Sequence, residues 1–214
     1  GSVAKVIELT KLKGFLPLEK DRDAAVERFS PVRKESGDRI KQLVVDGSSS
    51  LFEKRGMYYK EFNIDLSQVR RLSNLIAQQA PTHLRDINIL EQQISELLKN
   101  AVKHGNKNDR SKSIKIWFLF TEDTARLIVE DQGDGFQELE KWNEFYRKKI
   151  ECYRNQDFEK MMHYLAFHTE SSNDEDGGNA MMAAVEYWNA GVVFNGTRNA
   201  VAVMRSFTDE LSAL

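Results

Sequence analysis

The chain has one cysteine, three prolines, four histidines and almost no charge imbalance, and each shortage removes a class of protein from consideration. Cys152 alone cannot form an internal disulfide, and no cysteine–histidine cluster has the spacing of a structural zinc site, so a reducing cytoplasm is expected. With 31 basic against 33 acidic side chains, there is no electrostatic footprint for nucleic acid. No apolar run approaches the roughly 20 residues that span a bilayer, so no membrane insertion is expected. What remains is a globular chain of 214 residues, 41% of them apolar, enough for one sizeable core.

Two regions differ in how much they say. Residues 1–56, interrupted by Pro17, Pro31 and Gly47-Ser48-Ser49-Ser50, read as an N-terminal extension. Residues 57–214 read as one domain: β-formers over Tyr58 to Ile64, then Leu66, Val69, Leu72, Leu75 and Ile76 at helical spacing as far as Pro81. Ile87, Leu90, Ile94, Leu97, Leu98 and Ala101 mark a second helix that Gly105 can end. Ile114 to Phe120 and Arg126 to Asp131 predict an antiparallel hairpin. Residues 137–176 form an inserted helical segment, with one helix through Leu139, Trp142, Tyr146, Ile150 and Tyr153 and another through Phe158, Met161, Met162 and Leu165. A helix from Met181 to Trp188 and strands at Val192 to Phe194 and Ala200 to Phe207 complete the pattern.

Four groups of residues carry chemistry. On the second helix Glu96, Asn100 and His104 are spaced by four, about 40° per step, and so share a stripe at the rim of the apolar face. A carboxylate there can act as general base and an amide oxygen can ligate Mg²⁺; the same pair on a helix surface is otherwise simply solvated. Asp131-Gln132-Gly133-Asp134-Gly135-Phe136 stands where a strand ends. Its glycines permit a tight turn, and its first carboxylate can accept from an exocyclic amine, although an ordinary turn uses similar residues. Gly177-Gly178-Asn179 opens a helix, where backbone amides suit phosphate, or serves loop turning. Gly196-Thr197 precedes the last strand and by itself reads as a hairpin turn.

The order Glu-x-x-x-Asn, Asp-x-Gly-x-Gly, lid-like insertion, glycine-led helix and Gly-Thr resembles the GHKL (histidine kinase-like) ATPase superfamily over roughly Met57 to Phe207. The run Ser95-Glu96-Leu97-Leu98-Lys99-Asn100-Ala101-Val102-Lys103-His104-Gly105-Asn106 is most similar to the anti-sigma-factor serine/threonine kinases. The resemblance implies an α+β fold: a two-layer α/β sandwich whose mixed sheet is covered on one face by helices, with residues 137–176 as a long lid. It implies ATP and Mg²⁺ as cofactors, Glu96 as general base and Asn100 as the metal ligand. Asp131 would select adenine, with Gly133 and Gly135 shaping its pocket and Thr197 supporting it. His104 would border the nucleotide, and Gly177, Gly178 and Asn179 would lie near the phosphates. Lys141, Arg147 and Lys148 of the lid are candidates to meet phosphate. The implied activity is protein serine/threonine kinase in a partner-switching system, acting on a small regulatory protein and controlling a sigma factor, with homodimers as the family's assembly. The alternative is a GHKL-fold module that has lost phosphoryl transfer and regulates by protein binding. Departing from the family's Gly-x-Gly-apolar pattern, Gly177-Gly178-Asn179-Ala180 has a polar Asn in its glycine run.

Overall fold

The β-formers of Ile114–Phe120 (β3) and Thr124–Glu130 (β4) pair as a hairpin near the centre of the sheet, with Ile114, Ile116 and Phe118 of β3 and Ala125, Leu127, Ile128 and Val129 of β4 buried. Its register runs from Lys115↔Glu130 to Phe120↔Ala125. Thr121 closes the turn: its N–H donates to the Thr124 carbonyl at 2.9 Å, and its hydroxyl oxygen accepts the Thr124 N–H at 3.0 Å. These geometries come from a computed structural model that describes residues 42–63, 65–82, 84, 87–164, 167–168 and 180–207, all within a compact unit spanning Ile40–Leu214.

Four further strands extend the hairpin. Ala200–Ser206 (β6) pairs antiparallel with β4, Gly191–Phe194 (β5) pairs antiparallel with β6, and Tyr58–Phe62 (β2) pairs antiparallel with β3. Val44–Val45 (β1), to which the sequence assigns no element, lies parallel to β5. The result is a mixed six-stranded sheet ordered β1-β5-β6-β4-β3-β2.

Among the described residues five helices accompany it: Leu66–Ala77 (α1), Ile87–Asn100 (α2), Leu139–Arg154 (α3), Phe158–Met161 (α4) and Ala180–Tyr187 (α5). Asp65 caps α1 by accepting the Ser67 N–H at 3.0 Å, and the helix buries Val69, Leu72, Ile76 and Ala77. It packs along α2, whose Leu90, Ile94, Leu97 and Leu98 face the same core as Ile116, Leu127 and Val129 of the sheet. Helices and sheet thus form two layers of an α+β fold, consistent with the GHKL ATPase fold. On the other sheet face, Ile128 and Ala202 are buried outside that core. There Arg126 donates to the carbonyls of Ser50, Leu51 and Glu53 at 2.9–3.3 Å, and Lys54 lies 3.5 Å from the centre of the Trp117 ring.

The inserted segment differs in detail from its sequence pattern. The first helix forms as expected, but the second is a single turn, α4, capped by Asp157 and followed by a 3-10 turn at Met162–Tyr164; Leu165 lies outside the described residues. Phe158 is 57% exposed and Met162 49%, so the apolar stripe that would sustain a longer helix has no cover. Phe145 of α3 instead packs edge-on against Tyr164 and Phe167. Among the described residues no helix is long and apolar enough to cross a membrane.

Candidate functional site

At its C-terminal end α2 does not stop at once but widens into a π turn, Ala101–Gly105, in which the Asn106 N–H reaches back five residues to the Ala101 carbonyl at 2.8 Å. This turn brings His104 and Gly105 beside the loop that leaves β4. Asn106, only 3% exposed, fastens the two together: its Oδ1 accepts the Gln132 N–H at 2.8 Å, and its Nδ2 donates to the Ser113 carbonyl at 3.0 Å.

Asp131 begins that loop and is held from the opposite side. Its N–H donates to the Asn199 carbonyl at 2.9 Å, and its carbonyl accepts from Asn199 Nδ2 at 2.8 Å. Asn199 Oδ1 in turn accepts from Asn195 Nδ2 at 2.9 Å and from the Thr197 hydroxyl at 2.5 Å. Thr197 therefore acts on Asp131 through Asn199 and does not border the cavity itself.

Three glycines are needed where backbone and carboxylate crowd together. A Cβ on Gly105 would stand 2.3 Å from Asp131 Cγ and Oδ2, and one on Gly133 would stand 2.1 Å from the Gly105 carbonyl oxygen. Gly135 has φ +80°, and a Cβ there would meet the Thr197 carbonyl oxygen at 2.1 Å. The Gly133 N–H donates to Asp131 Oδ1 at 2.8 Å, which leaves Oδ2 to accept from a ligand. Burial nevertheless pushes the Asp131 carboxyl up to about 6, outweighing the Gly133 N–H and the more distant Lys112 charge, which lower it.

These pieces enclose a cavity of about 600 Å³ between the end of α2, the loop after β4, the start of α3 and the β5–β6 turn. Leu97, Val129, Phe136, Phe194 and Val201 give it apolar walls. Asn100, His104, Asp131 and Gly135, four of the residues singled out from sequence, border this one space. Gly133 sits behind Asp131. Glu96 lies one turn before Asn100 but outside the lining, its side chain 25% exposed and ion-paired to Lys99 at 2.7 Å. Gly177, Gly178 and Asn179 lie outside the described residues. Lys141, Arg147 and Lys148 pair with Glu138, Glu151 and Glu144 and do not border the cavity. The cations that do are Lys103, Lys107 and Arg198, with Lys107 paired to Asp134 at 2.7 Å and Arg198 to Glu140 at 2.5 Å.

An apolar slot with one desolvated carboxylate fits a flat heterocycle bearing an amino group, and a volume of this size accommodates a nucleotide. Cations on the same wall suit phosphate. Among the described residues no group of three or more His, Cys, Asp or Glu could hold a metal ion. One amide oxygen, from Asn100, completed by phosphate oxygens and water, is a donor set that fits Mg²⁺.

Residues 63–157 match a family described as the histidine kinase-like ATPase domain. The chain is 35% identical over 85 residues to an anti-sigma F factor of Clostridium perfringens, a stretch covering 39% of this chain and 60% of the relative. It is 41% identical over 51 residues to the serine-protein kinase RsbW of Bacillus licheniformis, covering 24% of this chain and 32% of that protein. The chain thus spans less than two thirds of the length of these relatives.

Proposed function

We propose, on the premise that residues 63–157 form a histidine kinase-like ATPase domain, that this chain binds Mg-ATP and phosphorylates a serine or threonine of a small regulatory protein. The relatives named anti-sigma F factor and serine-protein kinase support placing that protein in a partner-switching system that controls a sigma factor. The observation carrying the reading is the convergence of Asn100, His104, Asp131 and Gly135 on one cavity.

Each residue has a task set by its position. Asp131 accepts the exocyclic amine of adenine, and the Gly133 N–H keeps the carboxylate turned for it. Gly105 and Gly133 leave the carboxylate the room that a Cβ would take. Asn100 would hold Mg²⁺, which supplies charge neutralisation on the phosphates. The γ-phosphoryl group passes from its bridging oxygen to the substrate hydroxyl, ADP leaves, and Glu96 takes the hydroxyl proton once it gives up Lys99.

A second reading is favoured by Glu96 itself, which pairs with Lys99 and lies outside the cavity lining. On that reading the chain binds nucleotide and partner proteins without phosphoryl transfer. Incubation with labelled ATP and candidate regulators separates the two. The kinase reading expects a labelled regulator, no labelling by Glu96→Gln, and an ATP affinity for that variant within about 2-fold of the wild type, since only an interaction of the transition state is removed. ATP binding with no transfer to any candidate supports the second reading, and undiminished transfer by Glu96→Gln removes Glu96 from the mechanism.

A further inference from the structure

Leu43 lies before the stretch that matches the ATPase family, residues 63–157, yet it is fastened to a helix inside that stretch. Its N–H donates to Asn143 Oδ1 at 2.9 Å, and Asn143 Nδ2 donates back to the Leu43 carbonyl at 3.0 Å. One side-chain amide thus clasps both backbone polar groups of a residue 100 positions away. Asn143 directly follows Trp142, which with Glu138 gives α3 and its cap a share of the cavity lining. The Leu43 side chain, 3% exposed, joins the core that holds Leu139, Trp142 and Tyr146 of the same helix.

The residues that follow reach another wall of the cavity. Val44 and Val45 pair with Val193 and Phe194 of β5, the Asp46 N–H donates to the Phe194 carbonyl at 2.9 Å, and Phe194 lines the cavity. Residues 43–46 therefore run as a strap from α3 to β5. By itself the strap is weak: a strand of two residues is shorter than most, and both its valines are exposed. Its order depends on α3 and β5 standing at the right separation, and in return it fixes that separation. Glu140–Arg198 and Tyr146–Glu186 tie the same helix to the β5–β6 turn and to α5, so loss of the clasp should shift α3 without unfolding the domain.

We infer that Asn143 is a positioning residue for nucleotide binding, an inference that rests on the nucleotide reading above: through Leu43 it straps α3 to β5, so that bound nucleotide and an ordered β1 favour the same placement of the cavity walls. Linkage makes the effect reciprocal. Nucleotide should steady β1 by the factor with which β1 strengthens nucleotide binding.

Hydrogen exchange at the Leu43 and Asp46 amides of the full chain, with and without Mg-ATP, tests this. In the wild type, saturating Mg-ATP should slow exchange at both amides by about 3- to 10-fold, a modest share of what two neutral hydrogen bonds can contribute. Asn143→Ala should weaken ATP binding by a similar factor, and ATP should no longer slow exchange at Asp46. If Asn143→Ala lowers the melting temperature but keeps wild-type ATP affinity and the ATP-slowed exchange at Asp46, the clasp is structural only and the inference is overturned. If the wild type binds ATP while Leu43 and Asp46 exchange at unchanged rates, the inference is overturned and the nucleotide reading stands. If the wild type binds no nucleotide, both fall. Should Asn143→Ala fail to fold, the wild-type exchange rates still decide.

Discussion

Replacing Asp131 with Asn should make the free protein more stable and nucleotide binding worse. Burial raises the carboxyl to about 6 from an ordinary value of 3.8, so between those limits the folded state holds a proton that the unfolded chain has released. Stability therefore falls as pH climbs through this window, and the full cost is present above about pH 6. A difference of about 2 units, at roughly 1.4 kcal/mol each, sets a ceiling of about 3 kcal/mol. The carboxylate borders a cavity open to water, and screening there reduces the figure to about 1–2 kcal/mol. Asn never ionises, and its Oδ1 can still accept the Gly133 N–H. Asp131→Asn should accordingly melt roughly 2–8 °C higher than the wild type at pH 8, with the gap closing as pH falls towards 5. Thermal melts across that range provide the assay. A gap that is absent at pH 8, or that does not change between pH 8 and 5, would refute the reasoning. A ligand amine on the carboxylate also lowers its pKa, so binding near pH 6 should release protons, measurable as buffer-dependent heats in calorimetry.

Other substitutions test the scaffold around that carboxylate. Gly105→Ala places a Cβ 2.3 Å from Asp131 Cγ and Oδ2 and must displace the carboxylate or the π turn; ATP affinity should fall at least about 10-fold, with a stability loss of roughly 1–3 kcal/mol. Unchanged affinity by calorimetry would mean the turn yields freely. Asn106→Ala orphans the Ser113 carbonyl and the Gln132 N–H together, and denaturant titration should show a loss of about 2–4 kcal/mol. A loss under about 1 kcal/mol would show that water replaces the amide without penalty.

Much of this architecture was legible because it is local. The β-formers clustered in Ile114–Phe120 and Thr124–Glu130, and the helical spacing of Leu90, Ile94, Leu97 and Leu98, need no distant partner to be read. Asn100 and His104 keep the common face their spacing predicts, and Asp131 and Gly135 meet them at the same cavity. What escaped was non-local. Asn106 finds Gln132 26 residues away, and Asn199 finds Asp131 68 residues away, contacts that no spacing rule contains. Val44–Val45 is a strand only because β5 lies beside it. Glu96 shows the limit of a shared stripe: one turn and about 40° from Asn100 suffice to put it beside Lys99 and outside the lining.

The claim beneath the whole account is that the Asp131 carboxylate sits in a pocket for adenine. Calorimetric titration of the chain with Mg-ATP at pH 7.5, beside the Asp131→Asn variant, tests it most directly. The account predicts saturable one-site binding by the wild type and a 10- to 100-fold loss in the variant, roughly the range for a hydrogen bond to a charged group. Heats of dilution alone at millimolar ATP, or equal binding by the two proteins, would contradict it.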